Sequence, residues 1–149
     1  MDFTKDDLLI ELAKAGYSEN ARSLYIWEGV TMYLPESAVT STLHFIRDHA
    51  APGSRVVFDY TLASDTRLND ASTRFAKLGE PWLFGFPGTS AVEFLRQAGL
   101  DMVTDLSYAE LAARYAQRPD GTSPLPALAA DKHIRRIAVA AVRLPRDRP

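Results

Sequence analysis

Cysteine is absent from the 149-residue chain, which excludes a disulfide framework, a thiolate zinc site and a cysteine nucleophile. A surplus of either charge is missing too, since 17 Lys and Arg stand against 19 Asp and Glu for a net charge of −2. Without a basic stripe to follow a phosphate backbone, nucleic acid is not expected as a partner. No apolar run approaches the length that crosses a bilayer, and the opening MDFTKDDLL is acidic where a secretory leader is basic and then apolar. The expectation is a cytoplasmic protein with no membrane partner. Histidine is scarce as well. His44, His49 and His133 lack metal-ligand spacing, the first two lying five apart on a predicted helix and so pointing in different directions. Internal repeats, low-complexity tracts and interdomain linkers are not evident. What is present, 46% hydrophobic residues with 10% aromatics, suffices for one packed core.

Periodicity divides that core into alternating elements. Thr4 and Asp7 resemble a capping box, and Leu8, Leu9, Leu12 and Ala13 then recur at helical spacing as far as Gly16. Ser23 to Trp27 is a short apolar run bounded by polar residues and by Glu28-Gly29, which predicts a buried strand. Pro35 suits the first turn of a helix whose inward stripe is Val39, Leu43 and Ile46, ended by Ala51-Pro52-Gly53. Ser54 to Tyr60 is the next strand. A polar excursion follows, with a helix around Arg67 to Leu78. Ser90 and Glu93 form a second capping box, opening a helix through Val92 and Leu95 to Gly99. Leu100 to Leu106 reads as a strand, Ser107 with Glu110 caps a helix ending near Tyr115, and His133 to Leu144 closes the chain with a strand covered on both faces. Alternating helices and strands predict an α/β fold, a sheet with flanking helices.

The stretch LYIWEGVTMYLPESAV, residues 24 to 39, is chemically odd. An apolar strand runs into a lone carboxylate, Glu28, followed at once by glycine, although an ionised group leaving water needs a partner. In an open α/β sheet, ligands gather at the carboxyl ends of the strands. Glu28 and Asp59 both sit at such ends. Either residue can simply cap a helix or face solvent. Alternatively, Gly29 permits a tight turn and close approach to a ligand while Glu28 accepts hydrogen bonds or pairs with positive charge. The aromatics of the excursion, Phe75, Trp82, Phe84 and Phe86, can form an apolar lid or merely cover the sheet.

Taken in order, DFTKDDL, IWEGVTMYLPESAV, APGSRVVFDY and GFPGTSAVEFLRQAGL resemble the leucine carboxyl methyltransferase-like family of class I S-adenosylmethionine-dependent methyltransferases. The likeness runs from Asp2 to about Tyr115, and the last strand also fits. It implies a Rossmann-like methyltransferase sheet with an antiparallel last strand, and S-adenosyl-L-methionine as cofactor. By the same resemblance, Asp2 and Phe3 contact the adenine, Glu28 with Gly29 lies against the methionine portion, and Tyr33 stands near the acceptor. A partly buried Glu28 beside the sulfonium charge would then offset its desolvation. Tyr33 has an alternative as a core tyrosine with a satisfied hydroxyl.

One departure from that pattern changes the expectation. The glycine-rich loop after the first strand and the acidic residue that holds the ribose have no counterpart, and Gly85 and Gly88 in FGFPGTS read as a turn. Residues 1–149 are therefore expected to be the C-terminal part of a methyltransferase domain, lacking its first strands. The implied function is an O-methyltransferase, or its C-terminal fragment, acting on a carboxylate or hydroxyl of a small molecule or peptide terminus. The alternative is a non-catalytic remnant or assembly partner needing a missing half to bind cofactor. A Rossmann-type dinucleotide binder ranks third, lacking G-x-G-x-x-G. No catalytic base is assigned and none is obligatory, because methyl transfer draws chiefly on alignment of nucleophile and methyl group. With no strand beside it, LYIW would present an open edge without lysine or proline, so a homodimer through that edge is expected.

Overall fold

The computed structural model describes residues 7–63, 73, 76, 77, 79–122 and 135–144. Its elements are α1 (Leu8–Lys14), β1 (Leu24–Trp27), a short 3-10 turn (Thr31–Tyr33), α2 (Glu36–His49), β2 (Arg55–Thr61), α3 (Val92–Gln97), β3 (Leu100–Ser107), α4 (Tyr108–Tyr115) and β4 (Arg135–Val142). Most starts and stops follow from local chemistry. Asp7 alone caps α1, its carboxylate accepting from the Leu9 and Ile10 amides at 2.9 and 3.2 Å, while Thr4 lies outside the described residues. Pro35 is the cap of α2 rather than its first-turn residue. Ser107 and Glu110 form the expected reciprocal capping box of α4.

The second expected box does not form. Ala91 caps α3 without a side-chain bond, because Glu93 is drawn instead to Arg96 and Gln97 one turn on. Val92 accordingly points to solvent and Leu95 alone is buried on that helix. The helix expected over Arg67 to Leu78 falls largely outside the described residues.

The strands form one sheet in the order β1-β2-β4-β3. β1 runs parallel to β2, with Leu24 opposite Arg55 and Trp27 opposite Phe58. β4 inserts antiparallel between β2 and β3, so the last strand is antiparallel as expected. Two consequences follow from these directions. The carboxyl ends of β1, β2 and β3 lie along one sheet border together with the amino end of β4. Among the described residues, β1 is an edge strand with β2 as its one neighbour.

Alternation across the strands separates two faces. On one, Trp27, Val56, Phe58, Tyr60, Ala138, Ala140 and Val142 are buried and share a core with Val39, Leu43 and Ile46 of α2 and Leu95 of α3. Each fully buried aliphatic side chain of that α2 stripe contributes about 1.5–3 kcal/mol. On the other face, Leu24 and Ile26 are 62% and 72% exposed. Val57, Ile137 and Val139 are half-buried there. Among the described residues β4 is therefore fully covered on one face only, with α4 packed against β3 and β4 on the other.

Candidate functional site

The turn after β1 is held by a carboxylate, and that carboxylate is Asp59. Gly29 adopts φ +71°, the left-handed region that favours glycine, and its amide donates to Asp59 Oδ1 at 2.7 Å. Asp59 is 7% exposed at the end of β2. Its other oxygen accepts a long 3.5 Å contact from the Tyr108 hydroxyl, and its carbonyl accepts from Thr31 Oγ1 at 2.7 Å. A buried carboxylate that accepts from two groups, on a residue whose carbonyl accepts from a third, is a firm anchor. Glu28 does not share this burial. It projects into solvent, so the expected partly buried Glu28 is replaced by an exposed one, and the desolvation that required a partner falls on Asp59.

A second segment docks on the same turn. The Leu83 and Phe84 amides both donate to the Met32 carbonyl, at 2.7 and 3.2 Å. Further along, the Phe86 amide donates to the Thr61 carbonyl at 2.7 Å and the Ala63 amide to the Phe86 carbonyl at 2.8 Å. Gly85 makes this approach possible, because a Cβ there would stand 2.9 Å from Ala63 backbone atoms. Docking sends Trp82, Phe84 and Phe86 into buried positions. Phe86 packs edge-on to Tyr60 and Phe94 with centroids 4.9 and 5.0 Å away. These three aromatics therefore cover the sheet and do not form a lid; Phe75 lies outside the described residues.

Between the turn and the docked segment is a cavity of about 540 Å³ lined by Gly29, Tyr33, Gly79, Glu80, Pro81 and Leu83. Two expected site residues, Gly29 and Tyr33, thus meet in one concavity at the carboxyl end of the sheet, where an open α/β fold gathers ligands. Glu28 stands beside it on the chain, while Asp2 and Phe3 lie outside the described residues. The border continues with two residues that sequence reasoning passed over, Tyr108 and Arg135. Burial pushes the Tyr108 hydroxyl pKa up, the Asp59 charge adds to this, Arg135 opposes it, and Glu28 contributes a smaller rise. Tyr108 thus stays protonated as a donor toward Asp59. Arg135 lies with its guanidinium 5.5 Å above the Trp82 ring centre. The only sequence signal for either was position: the first residue of a capped helix, and an arginine at the mouth of a strand.

A separate polar network braces the covered face. The Tyr60 hydroxyl donates to Asp105 Oδ2 at 2.9 Å and accepts from the Ala91 amide at 3.1 Å, and Arg136 Nε donates to Asp105 Oδ1 at 2.8 Å. Burial raises the Tyr60 pKa, keeping the hydroxyl protonated so that it can serve both partners. This ties β2, β3 and β4 to the entry of α3 and presents no reactive group to the cavity.

Comparison with known proteins finds similarity in part of the sequence and in the fold. Residues 1–47 match the family model described as leucine carboxyl methyltransferase. A Mycobacterium avium (strain 104) protein named "Putative S-adenosyl-L-methionine-dependent methyltransferase" is 32% identical over 79 residues, covering 50% of this chain and 26% of that protein. Among solved structures, a DUF574 family protein from Streptomyces avermitilis superposes with TM-score 0.64 at 10% identity, over 95% of this chain and 53% of that one. PKMT2 from Rickettsia typhi gives TM-score 0.51 at 11% identity, over 97% and 38%. The chain thus spans about a quarter of the sequence relative and about half or less of these structures, whose likeness speaks to fold alone. Residues 1–47 are thus similar to the leucine carboxyl methyltransferase family, and the open α/β sheet shares its fold with the Streptomyces avermitilis structure.

Proposed function

We propose that this chain supplies the C-terminal part of an S-adenosyl-L-methionine-dependent O-methyltransferase, transferring a methyl group to a carboxylate or hydroxyl of a small molecule or peptide terminus. The observation that carries this reading is the meeting of Gly29 and Tyr33 in one cavity at the strand ends, with Gly29 fixed by the buried Asp59. The residues present fit one end of the cofactor. Gly29 lacks a side chain where a ligand approaches, and the solvent-facing Glu28 can receive the positive charge of the methionine portion. When bound, the cofactor supplies the sulfonium methyl group. The protein's share is to orient the acceptor, with the Tyr33 hydroxyl as a hydrogen-bonding group, and to limit water. Asp2 and Phe3 are assigned to the adenine on the resemblance alone.

Calorimetric titration of the chain with S-adenosylhomocysteine and with NAD tests the proposal. S-adenosylhomocysteine is expected to bind selectively but more weakly than micromolar, since the sequence has no glycine-rich loop or ribose-binding acid. Glu28→Gln is expected to lower that affinity by about 1–3 kcal/mol, the scale of a charge-assisted hydrogen bond. Preference for NAD, or affinity unchanged by the substitution, would overturn the assignment.

A second reading, an assembly partner without its own cofactor affinity, is favoured by the exposed Leu24 and Ile26 on the edge strand. In that reading two copies pair β1 to β1 across a two-fold axis, joining their sheets. Absence of any S-adenosylhomocysteine heat together with a sedimenting dimer would select it.

A further inference from the structure

Four described arginines are half-buried: Arg47, Arg135, Arg136 and Arg143. A guanidinium withdrawn from water needs an anionic or hydrogen-bonding partner. Three have one nearby, Arg47 with Asp48 at 2.6 Å, Arg136 with Asp105 at 2.8 Å and Arg143 with Asp101 at 3.0 Å. Arg135 is the exception. Among the described residues no carboxylate lies within ion-pair distance of it. Its guanidinium is instead laid over the ring of the buried Trp82, an arrangement that orients the planar fork while leaving its N–H donors available. The Tyr108 hydroxyl shares its electrostatic surroundings. Its place at the amino end of β4, opposite Thr61 of β2, puts it on the same sheet border as the cavity.

We propose that Arg135, held over Trp82, is an anchoring subsite for an oxyanion-bearing ligand, one that presents a carboxylate or phosphate group at the carboxyl end of the sheet. The fork of Arg135 matches either group in a bidentate manner, which a neutral ligand without an oxyanion does not. Methyl transfer is not needed for this subsite to exist. Its ligand is the acceptor or another molecule entering the same border.

The two tryptophans, Trp27 and Trp82, make the test direct. The chain is labelled with 5-fluorotryptophan, its two fluorine resonances are assigned with Trp27→Phe, and benzoate, phenyl phosphate and benzamide are titrated at constant ionic strength. Benzoate or phenyl phosphate is expected to move the Trp82 resonance saturably, with benzamide and the Trp27 resonance unchanged. The tighter of the two anions identifies the group. Arg135→Gln is expected to weaken the response at least tenfold. Arg135→Lys, which keeps charge but not the stacked fork, should weaken it several-fold. An equal response to benzamide, no response to either anion, or a response surviving in Arg135→Gln overturns the proposal. A Trp82 response without S-adenosylhomocysteine heat would retain this subsite and remove the methyl-transfer reading; heat without the response would do the reverse.

Discussion

The two faces of the sheet are made from adjacent residues of the same strands and are put to different use. On the covered face Phe58, Tyr60 and Phe86 interlock beneath α2 and α3, and the polar atoms there are consumed in bracing, as with Tyr60 and Asp105. On the opposite face Asp59 holds a turn, Tyr108 leans toward it, and Leu24 and Ile26 remain open. One face buys most of the stability. The other keeps the border accessible, and the cavity adjoins it. The difference shows how a period of two lets one strand serve two purposes: Phe58 and Tyr60 point into the core, and Asp59 points the other way to hold the Gly29 turn.

The largest test of that contrast is Phe86→Ala. Phe86 is fully buried between Phe58, Tyr60, Phe84 and Phe94, so the substitution is expected to cost about 3–5 kcal/mol in urea unfolding. A loss below about 1 kcal/mol, at the scale of ordinary surface changes, would break the assignment of stability to this face. Asp59→Ala should come next, at about 1–3 kcal/mol, because the Gly29 amide loses its acceptor. Faster amide exchange at Gly29 is the accompanying sign, and an unchanged Gly29 exchange rate would show that Asp59 does not hold the turn.

A pH series sharpens what α4 adds to the more open face. Donation from the Ser107 hydroxyl, then from its amide, lowers the Glu110 carboxyl pKa. A carboxyl whose folded pKa lies below its unfolded one contributes stability above the unfolded value and loses it as pH falls through the folded value. Glu110 is exposed, so Glu110→Gln is expected to cost only on the order of 0.5 kcal/mol at pH 7 after solvent screening. That difference should vanish in acid; a cost that persists below the carboxylate range would point to packing instead. The smallest effect on stability is expected from Ile26→Lys, within about 0.5 kcal/mol. If β1 pairs with a second copy, this lysine shifts sedimentation from dimer to monomer, whereas a monomer in both proteins would show that the edge is not used. Tyr25 is the poorer probe, since its hydroxyl meets that of Tyr17 at 2.7 Å.

Much of this architecture was legible before any coordinates. The Val39, Leu43 and Ile46 stripe, the Ser107-Glu110 box and the antiparallel last strand all rest on periodicity, local capping or resemblance, and all stand in the structure. The Ser90-Glu93 box failed because Arg96, one turn away, competes for the same carboxylate. Of the candidate site, the turn and its aromatic neighbour were legible and the buried charge was not. Gly29 and Tyr33 do meet in a cavity, but the weight placed on burying Glu28 belongs to Asp59, and Tyr108 and Arg135 carried no motif at all.

What the sequence alone determined is therefore the set of elements and the sheet border on which Gly29 and Tyr33 meet, since helix period, strand period and caps are written within a few residues of one another. Tertiary structure decided which groups at that border are withdrawn from water. Asp59 is buried because α4 and the Gly29 turn converge on the end of β2, while Glu28 is exposed just past the end of an edge strand that has one neighbour among the described residues. Arg135 rests on Trp82, 53 positions away in the chain, only because β4 returns antiparallel beside β2. Burial and partnership of a charge depend on what packs around it from distant sequence, and no local pattern encodes that.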